Sequence, residues 1–363
     1  STAIYGSKAS NGVIVVETKK PEAGKLRFTY NGNYQVGWAD LSDYNLMNAA
    51  EKLQFEKLSG HYGALDENGE ILMDDQRALF YSRYKKVVAG LDTYWMNEPL
   101  RTAFTHDHSL SAEGGDSAFR YGLTLRYKDN KGVMKNSGRQ NIDGTVNLSY
   151  RIDRFNFSNQ TNIYYTDIDN NTVSFSEFSR ANPYYSKYDE NGEVYKVLES
   201  YAVTGGTEYQ YNPLWNYVQS SFNRSNELTL NNNFNVEYRP IDKLRITAKL
   251  GFTTTRDKSE VFKSPFDSSF ENADVLKRGN YTRSDNNSTS YDGKLLASYG
   301  DVIGKHNFNF VGGAELSERN ATTGSYLTEG YISDQFFNPN FSNSYPEGGK
   351  PSSSVTKARS ASF

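Results

Sequence analysis

The chain has 363 residues, of which 36% are hydrophobic and 14% aromatic, and its formal net charge at pH 7 is -3. The aromatic content excludes an intrinsically disordered chain, and the weak negative charge excludes a basic nucleic-acid-binding surface. The absence of Cys excludes a disulfide framework and thiolate metal sites. No stretch reaches the roughly 18 uninterrupted apolar residues that a membrane-spanning helix needs.

The chain begins with a short compact segment. Residues 13–16 (VIVV) are β-branched or aliphatic and predict a strand buried on both faces. The composition changes after Pro21, and the sequence is polar and tyrosine-rich from there on. The first residue is not Met, and we expect a piece of a longer protein, with a first unit over residues 1–21 and a second over 22–363.

Nine segments of the second unit alternate between apolar and polar residues with a period of two, the pattern of half-buried strands. In the first of them Leu26, Phe28 and Tyr30 share one face, and this alternation continues through the Asn31-Gly32 pair, which we therefore place inside a strand. Each segment approaches or exceeds the roughly 9–11 residues of a tilted membrane strand. The nine segments are 25–38, 104–112, 119–128, 142–150, 155–165, 228–238, 244–252, 291–299 and 308–316.

The connections between these segments alternate strictly between short and long. A soluble β-sandwich or β-solenoid also has alternating strands, but it has no reason to alternate its connection lengths. An outer-membrane barrel has tight turns at its periplasmic end and long loops outside. The fold class predicted is therefore all-β, an antiparallel transmembrane β-barrel. The long connections are 39–103, 129–139, 168–225, 258–287 and the segment from 318 onward.

Local signals predict some structure inside the long loops. Residues 43–58 are expected to form a helix capped by Asp43, and residues 75–89 a second helix. The sequence DENGE occurs at 66–70 and again at 189–193. We interpret both as Asn-Gly turns of small hairpins, because the ligand spacing of a calcium loop is missing.

Residues with catalytic or binding chemistry are few. His106 and His108 lie on one strand face, where a metal would need further ligands from elsewhere. The sequence contains no nucleophile elbow, phosphate loop or zinc-protease motif, and we expect no enzyme activity and no cofactor. A tyrosine cluster in the long connection 168–225 could stack sugar rings, although packing of the loop is the favoured interpretation. These weak substrate-binding candidates are Tyr184, Tyr185, Tyr188 and Tyr195.

The first twenty residues resemble the closing signature of the plug domain in SusC/RagA-like TonB-dependent transporters. The likeness continues through residues 46–48 (LMN), the pair Asp92 and Trp95, and residues 110–116 (LSAEGGD). It implies that residues 1–21 are the C-terminal end of a plug and residues 22–363 the N-terminal portion of the barrel. The signature residues, to which we assign a structural role, are Tyr5, Gly6, Ser7, Asn11 and Gly12.

The resemblance also implies a function, active import of glycans or peptides across the outer membrane of a Gram-negative, Bacteroidota-like cell. The implied partners are a SusD-like surface lipoprotein as lid, the TonB complex through a segment missing here, and the outer-membrane lipids. Nucleic acid is not expected as a partner. Two alternatives remain open, a passive structural or adhesive barrel and a soluble carbohydrate-binding β protein.

The same resemblance orients the strands. Plugged outer-membrane transporters have 22 strands, so nine would be less than half of a barrel. If residues 25–38 run outward from a periplasmic plug, the ninth strand also runs outward. Residues 319–356 would then form an external loop, and the next strand would descend from near Ala358.

Overall fold

A computed structural model describes residues 21–203 and 206–363. The predicted plug segment, with Tyr5, Gly6, Ser7, Asn11 and Gly12, lies outside the described residues except for Pro21. The described chain forms an eleven-stranded antiparallel sheet and a separate two-stranded hairpin. Along the sheet, consecutive strands pair, except that the hairpin is skipped and the last two strands both pair with the same neighbour. The first and last strands do not pair with each other, so the described sheet is open.

The strands vary from three to 26 residues. In chain order they are β1 (Gly24–Gly37), β2 (Ala103–Gly115), β3 (Phe119–Lys131), β4 (Gly138–Ile152), β5 (Phe155–Asn170), β6 (Val197–Val203), β7 (Gly206–Tyr211), β8 (Phe222–Ile241), β9 (Leu244–Lys263), β10 (Asn280–Ile303), β11 (His306–Tyr331), β12 (Ser342–Ser344) and β13 (Ser352–Ser362). Four α-helices lie in the connections, namely α1 (Ala49–Leu58), α2 (Asp74–Val88), α3 (Phe175–Arg180) and α4 (Pro213–Val218).

The predicted antiparallel all-β class is confirmed, and each of the nine predicted segments lies in a strand of the large sheet. The strands extend further than predicted, most of all β10 and β11. The loop expected over 258–287 therefore covers only 264–279, and the loop expected over 319–356 covers only 332–351. The connection expected over 129–139 shortens to 132–137 for the same reason. The descending strand β13 begins at Ser352, six residues before the predicted start, because it pairs with the extended outer part of β11.

Register places apolar and polar residues on opposite faces of the sheet. On one face Phe28 lies beside Ala112, which lies beside Leu123, and Leu123 lies beside Val146. This face is exposed, with Phe28 at 68%. Exposed apolar surface of this extent marks an interaction with another protein or a membrane. No helix within residues 21–203 and 206–363 is long and apolar enough to cross a membrane.

The opposite face carries rows of hydrogen-bonded polar side chains. The Ser111 and Thr124 hydroxyl oxygens are 3.0 Å apart, and Thr145 donates to Asn162 at 3.0 Å. Because neutral hydroxyl and amide groups satisfy one another here, this face is polar without a large net charge. It is the surface that would line the interior of a closed barrel.

The first helix begins later than predicted. Asn48, and not Asp43, is the N-cap, and its side chain accepts a hydrogen bond from the Glu51 backbone amide at 2.9 Å. The Glu51 carboxylate accepts in return from the Asn48 backbone amide at 3.0 Å. This reciprocal capping box satisfies two free amides at once, which gives Asn48 the advantage over Asp43.

The two DENGE segments fold into the same turn. In each, the Asp carboxylate accepts from the backbone amides two and four residues later, at 2.8 to 2.9 Å. These amides lower the pKa of both Asp66 and Asp189. Gly69 and Gly192 have φ of 77° and 83°, which favours glycine. An isolated bridge between residues 65 and 71 closes the first turn into the predicted small hairpin.

The two faces differ in the substitutions that they tolerate. In the full-length protein Leu123→Arg or Leu148→Arg places a charge on the apolar face, at an expected cost of about 2–4 kcal/mol near the bilayer midplane. Thr124→Arg, on the polar face, is the matched control and should assemble normally. Heat-modifiable mobility in gel electrophoresis measures assembly, and equal losses for both faces would contradict the assignment.

Candidate functional site

Two long connections fold together at one end of the sheet into a loop unit, defined as residues 38–102 and 171–221. Its core contains buried side chains from both connections, so neither is an independent loop. The members of this core are Ala49, Leu53, Tyr62, Ile71, Phe80, Trp95, Val173, Phe178, Tyr184, Tyr185, Leu198 and Leu214.

A buried arginine joins the two connections. Arg83 on α2 is 3% exposed, and its Nε and Nη2 donate to Glu199 Oε2 of β6 at 2.9 and 2.5 Å. Its Nη1 donates to the Tyr62 hydroxyl at 2.7 Å. A guanidinium has five donors in a rigid planar fork, whereas an ammonium group is a compact charge with three donors and cannot match this geometry. Arg83 therefore fixes the position of β6 relative to α2.

Buried tyrosines complete this network. The Tyr62 and Tyr184 hydroxyls donate to the Glu56 carboxylate at 2.9 and 3.1 Å, and Tyr185 donates to Glu199 at 2.7 Å. The Tyr184 ring centroid lies 5.0 Å from the Arg83 guanidinium carbon, close enough for a cation–π contact. Both carboxylates are thus hydrogen-bonded, as buried charges must be.

Burial governs the proton affinity of these phenols. Tyr62, Tyr184 and Tyr185 are at most 2% exposed, and desolvation is the largest cause that raises the pKa of each. The Arg83 charge opposes this effect at all three but is weaker. The tyrosines therefore act as hydrogen-bond donors at neutral pH and are unsuited to proton transfer.

A second group of hydrogen bonds that holds the loop unit together lies at the start of α1. The Ala49 amide donates to Asp92 Oδ1 at 2.9 Å, and Trp95 Nε1 donates to the Asn182 carbonyl at 2.9 Å. Asn48, Asp92 and Trp95 are residues that carry the family resemblance, and the structure brings them to this one place. They line a cleft of about 500 Å³, together with exposed Tyr44 and Tyr94 and with residues 178–183.

The loop unit also contacts the loop over residues 264–279. Trp215 Nε1 donates to the Phe266 carbonyl at 2.8 Å, and Asn216 bonds with Ser268 at 2.8 Å. Lys196 forms an ion pair with Glu271. These contacts tie the unit to the ends of β9 and β10, so that it lies over several strands of the sheet.

The four candidate tyrosines have different positions. Tyr184 and Tyr185 are buried and pack the loop unit, and Tyr195 is half-buried with its hydroxyl on the Ser186 carbonyl at 3.0 Å. Tyr188 is 43% exposed and stays available to a ligand. Sequence reasoning missed Arg83, because its partners are distant in the chain and a lone Arg in a predicted helix gives no local signal.

The histidine pair does not assemble a metal centre. Tyr30 OH lies 2.7 Å from His108 Nδ1, and His106 Nε2 lies 3.8 Å from Asp129 Oδ2. Within the described part of the chain, no three or more His, Asp or Glu side chains are grouped to hold a metal. Both histidines occupy the apolar face near the loop end of β2, among aromatic rings of β1 and β3.

The polar face of the sheet contains a cavity of about 630 Å³. Pro21, which is buried, lies in it, and a Cβ built at Gly122 would approach the Pro21 ring to 3.1 Å. The glycine thus allows the Pro21 ring to lie against the polar face. Other lining residues include Asn147, Gln160, Asn233, Lys249 and Asp292.

The chain is similar to curated proteins named TonB-dependent receptors, whereas no protein-family model matches it. It is 26% identical to the TonB-dependent receptor SusC of Bacteroides thetaiotaomicron over 340 residues, 87% of this chain and 31% of that protein. It is 24% identical to the TonB-dependent receptor P26 of Formosa agariphila over 354 residues, 95% of this chain and 33% of that protein. The chain thus spans about a third of the length of these relatives.

Solved structures share the fold. The RagAB peptide importer in its closed-closed state matches with a TM-score of 0.76 and 20% identity, over 98% of this chain and 42% of that chain. A structure of the RagAB peptide transporter matches with a TM-score of 0.74 and 19% identity, over 98% and 41% of the two chains. The resemblance to SusC/RagA-like TonB-dependent receptors is confirmed, and the sheet is a partial barrel. The relatives are receptors, in agreement with the expectation that the chain is not an enzyme.

The loop unit should depend on Arg83. Arg83→Ala leaves Glu56 and Glu199 without their buried counter-charge, and we expect a loss of about 3–5 kcal/mol in local stability. Hydrogen exchange of residues 49–88 and 171–203 in the full-length protein measures this loss. Lys85→Ala, an exposed position on the same helix, is the control. Unchanged exchange in Arg83→Ala would show that the network does not hold the unit together.

The loop unit should also be sensitive to alkali. The buried tyrosines keep their protons above pH 10, the ordinary phenol pKa, whereas an unfolded chain releases them. Their contribution is therefore complete below about pH 10 and falls above it by about 1.4 kcal/mol per pH unit for each tyrosine. Limited proteolysis between pH 9 and pH 12 should cut the loop unit before the sheet. Simultaneous cleavage of both would contradict the prediction.

Proposed function

We propose that this chain is part of an outer-membrane transporter that imports glycans or peptides into a Gram-negative, Bacteroidota-like cell. The observation that carries the proposal is the division of one open antiparallel sheet into an exposed apolar face and a hydrogen-bonded polar face. Such a sheet is suited to hydrocarbon on one side and a polar interior on the other. The similarity to TonB-dependent receptors over 87% of the chain supports the same function.

Residues 1–21 are proposed as the C-terminal end of a plug inside the barrel, and residues 22–363 as the first part of its wall. The buried position of Pro21 on the polar face supports this division, since that face would be the interior. Energy would come from the TonB complex acting on a segment outside this sequence. Such coupling requires no bond to be broken in the substrate.

The loop unit is proposed as the extracellular docking surface for a SusD-like surface lipoprotein and as a contact region for substrate. Its buried ion-pair network supports a rigid surface, because the groups that would otherwise move are held by hydrogen bonds. Several exposed apolar side chains on α1 and α2 favour a protein partner. They are Phe55, Leu58, Tyr84 and Val88, between 46% and 68% exposed.

Substrate contacts are proposed at the cleft beside Trp95 and at Tyr188. Tyr44 and Tyr94 offer exposed aromatic faces in that cleft, which suit either a sugar ring or a peptide side chain. The glycan and peptide alternatives therefore need a direct test. Growth of the source bacterium on defined glycans or peptides, with and without the full-length gene, is that test.

Loss of growth on one class of nutrient, restored by the wild-type gene, would support import and identify the substrate. Deletion of tonB should abolish the same growth if transport is active. Tyr94→Ala combined with Tyr188→Ala should raise the nutrient concentration needed for half-maximal growth, and Tyr345→Ala, an exposed tyrosine in another loop, is the control. Growth that depends on neither the gene nor TonB would rule out active import.

The proposal also predicts topology. A protease tag inserted at Asn191, in an exposed turn of the loop unit, should be cut on intact cells because the turn lies outside. A tag at Ser117, in the tight connection between β2 and β3, should be cut only after the outer membrane is opened. The reverse pattern would invert the proposed orientation.

A further inference from the structure

The apolar face of the sheet has a groove of about 740 Å³ over strands β9, β10, β11 and β13. Register sets Leu250 beside Gly293, Gly293 beside Leu316 and Leu316 beside Ala361. A Cβ built at Gly293 would meet only the Leu250 side chain, at 3.8 Å. The groove therefore exists because position 293 has no side chain between two leucines.

The end of the groove nearer the loop unit changes from apolar to cationic. Phe252 and Tyr291 form one row of neighbours that continues to Glu318 and Arg359. Arg359 Nε donates to Glu318 at 2.9 Å, yet the Arg359 side chain stays 69% exposed. The remaining guanidinium donors are thus turned to the surroundings at the rim.

Two further cations lie on the same face, closer to the loop unit. Lys357 is two residues from Arg359 on β13, and Arg256 is four residues from Phe252 on β9. Both are exposed. Between them, Asn320 Nδ2 donates to Glu318 at 3.0 Å, while its Oδ1 is buried and has no hydrogen-bond partner within the described residues. Because that oxygen is buried, the rim offers a ligand positive charge alone.

The position of the groove along the membrane normal follows from the aromatic residues of β10. Tyr291 and Tyr299 lie on the same face, eight residues apart. A strand that rises about 3.3 Å per residue and tilts by about 40° separates them by about 20 Å along the membrane normal. They therefore bracket an apolar belt, with the groove inside it and the cationic rim at the level of lipid head groups on the loop side.

We propose that this groove binds a phosphate-bearing lipid of the outer leaflet, with an acyl chain along Gly293 and the phosphate on Arg359 and Lys357, while Arg256 adds positive charge three strands away. The inference goes beyond import and rests only on the membrane placement of the sheet. Phosphate accepts charge-assisted hydrogen bonds from Arg and Lys. A free anion would leave the apolar floor unused, which favours a lipid.

The test uses the full-length protein in detergent and native mass spectrometry, with dioleoyl phosphatidylglycerol as the anionic probe and dioleoyl phosphatidylcholine as the zwitterionic one. Wild type should retain the anionic lipid at least about tenfold more tightly. Gly293→Leu fills the groove and should lose one bound lipid of this class. Gly312→Leu is the matched control, since it lies on the same face two rows away and a Cβ there meets nothing within 4 Å.

The combined variant Arg256→Gln and Lys357→Gln should bind both lipids about equally, while Lys305→Gln, in the turn at the opposite end of β10, should behave as wild type. Heat-modifiable mobility establishes that each variant is folded.

Equal retention of the two lipids by wild type, or unchanged binding in Gly293→Leu, overturns the proposal. A dimer lost in Gly293→Leu without a change in bound lipid overturns it too and assigns the groove to a second copy. Nutrient growth is scored separately, so a failure of import leaves the lipid result standing.

Discussion

The structure depends on one constraint, that the backbone amides and carbonyls between neighbouring strands are paired, so that only the two outer edges of the described sheet stay open. In a hydrocarbon environment an unpaired group costs several kcal/mol, and sequential antiparallel pairing from β1 to β11 avoids this cost within the described sheet. Once register is set, each side chain is assigned to one face, because the period of a strand is two. The apolar row from Phe28 to Val146 and the polar row from Ser111 to Asn162 are two consequences of the same pairing.

In the loop unit, side chains supply the hydrogen-bond partners that buried polar groups need. Its connections are too long to be simple turns and are stabilised by a core that includes a buried charge. On its own, the buried charge of Arg83 would destabilise the folded state, because an isolated buried charge is strongly unfavourable. Glu199 supplies the counter-charge and Tyr62 accepts a hydrogen bond from the guanidinium, and the requirement for all three makes the arrangement specific. A docking surface built on this core would keep its shape in the absence of a partner.

Deviations from the regular pattern are informative. At position 122 the lack of a side chain leaves room for the Pro21 ring. At position 293 it leaves the groove in which we propose that a ligand binds. Charged residues on the apolar face occur at the loop end, as in the pair of Glu318 and Arg359. Long side chains can reach polar surroundings there, which is why such a pair is compatible with a membrane protein.

The sequence by itself determined the strands, their faces and the short-long order of their connections, since these follow from a period of two and from local turn residues. It also indicated the family through short motifs. Tertiary structure alone decided that Tyr184 and Tyr185 are buried while Tyr188 is exposed, because burial of equivalent aromatic residues depends on partners such as Arg83 that lie about a hundred residues away. Likewise, the start of β13 at Ser352 depends on its pairing with β11, a contact made only in the folded chain.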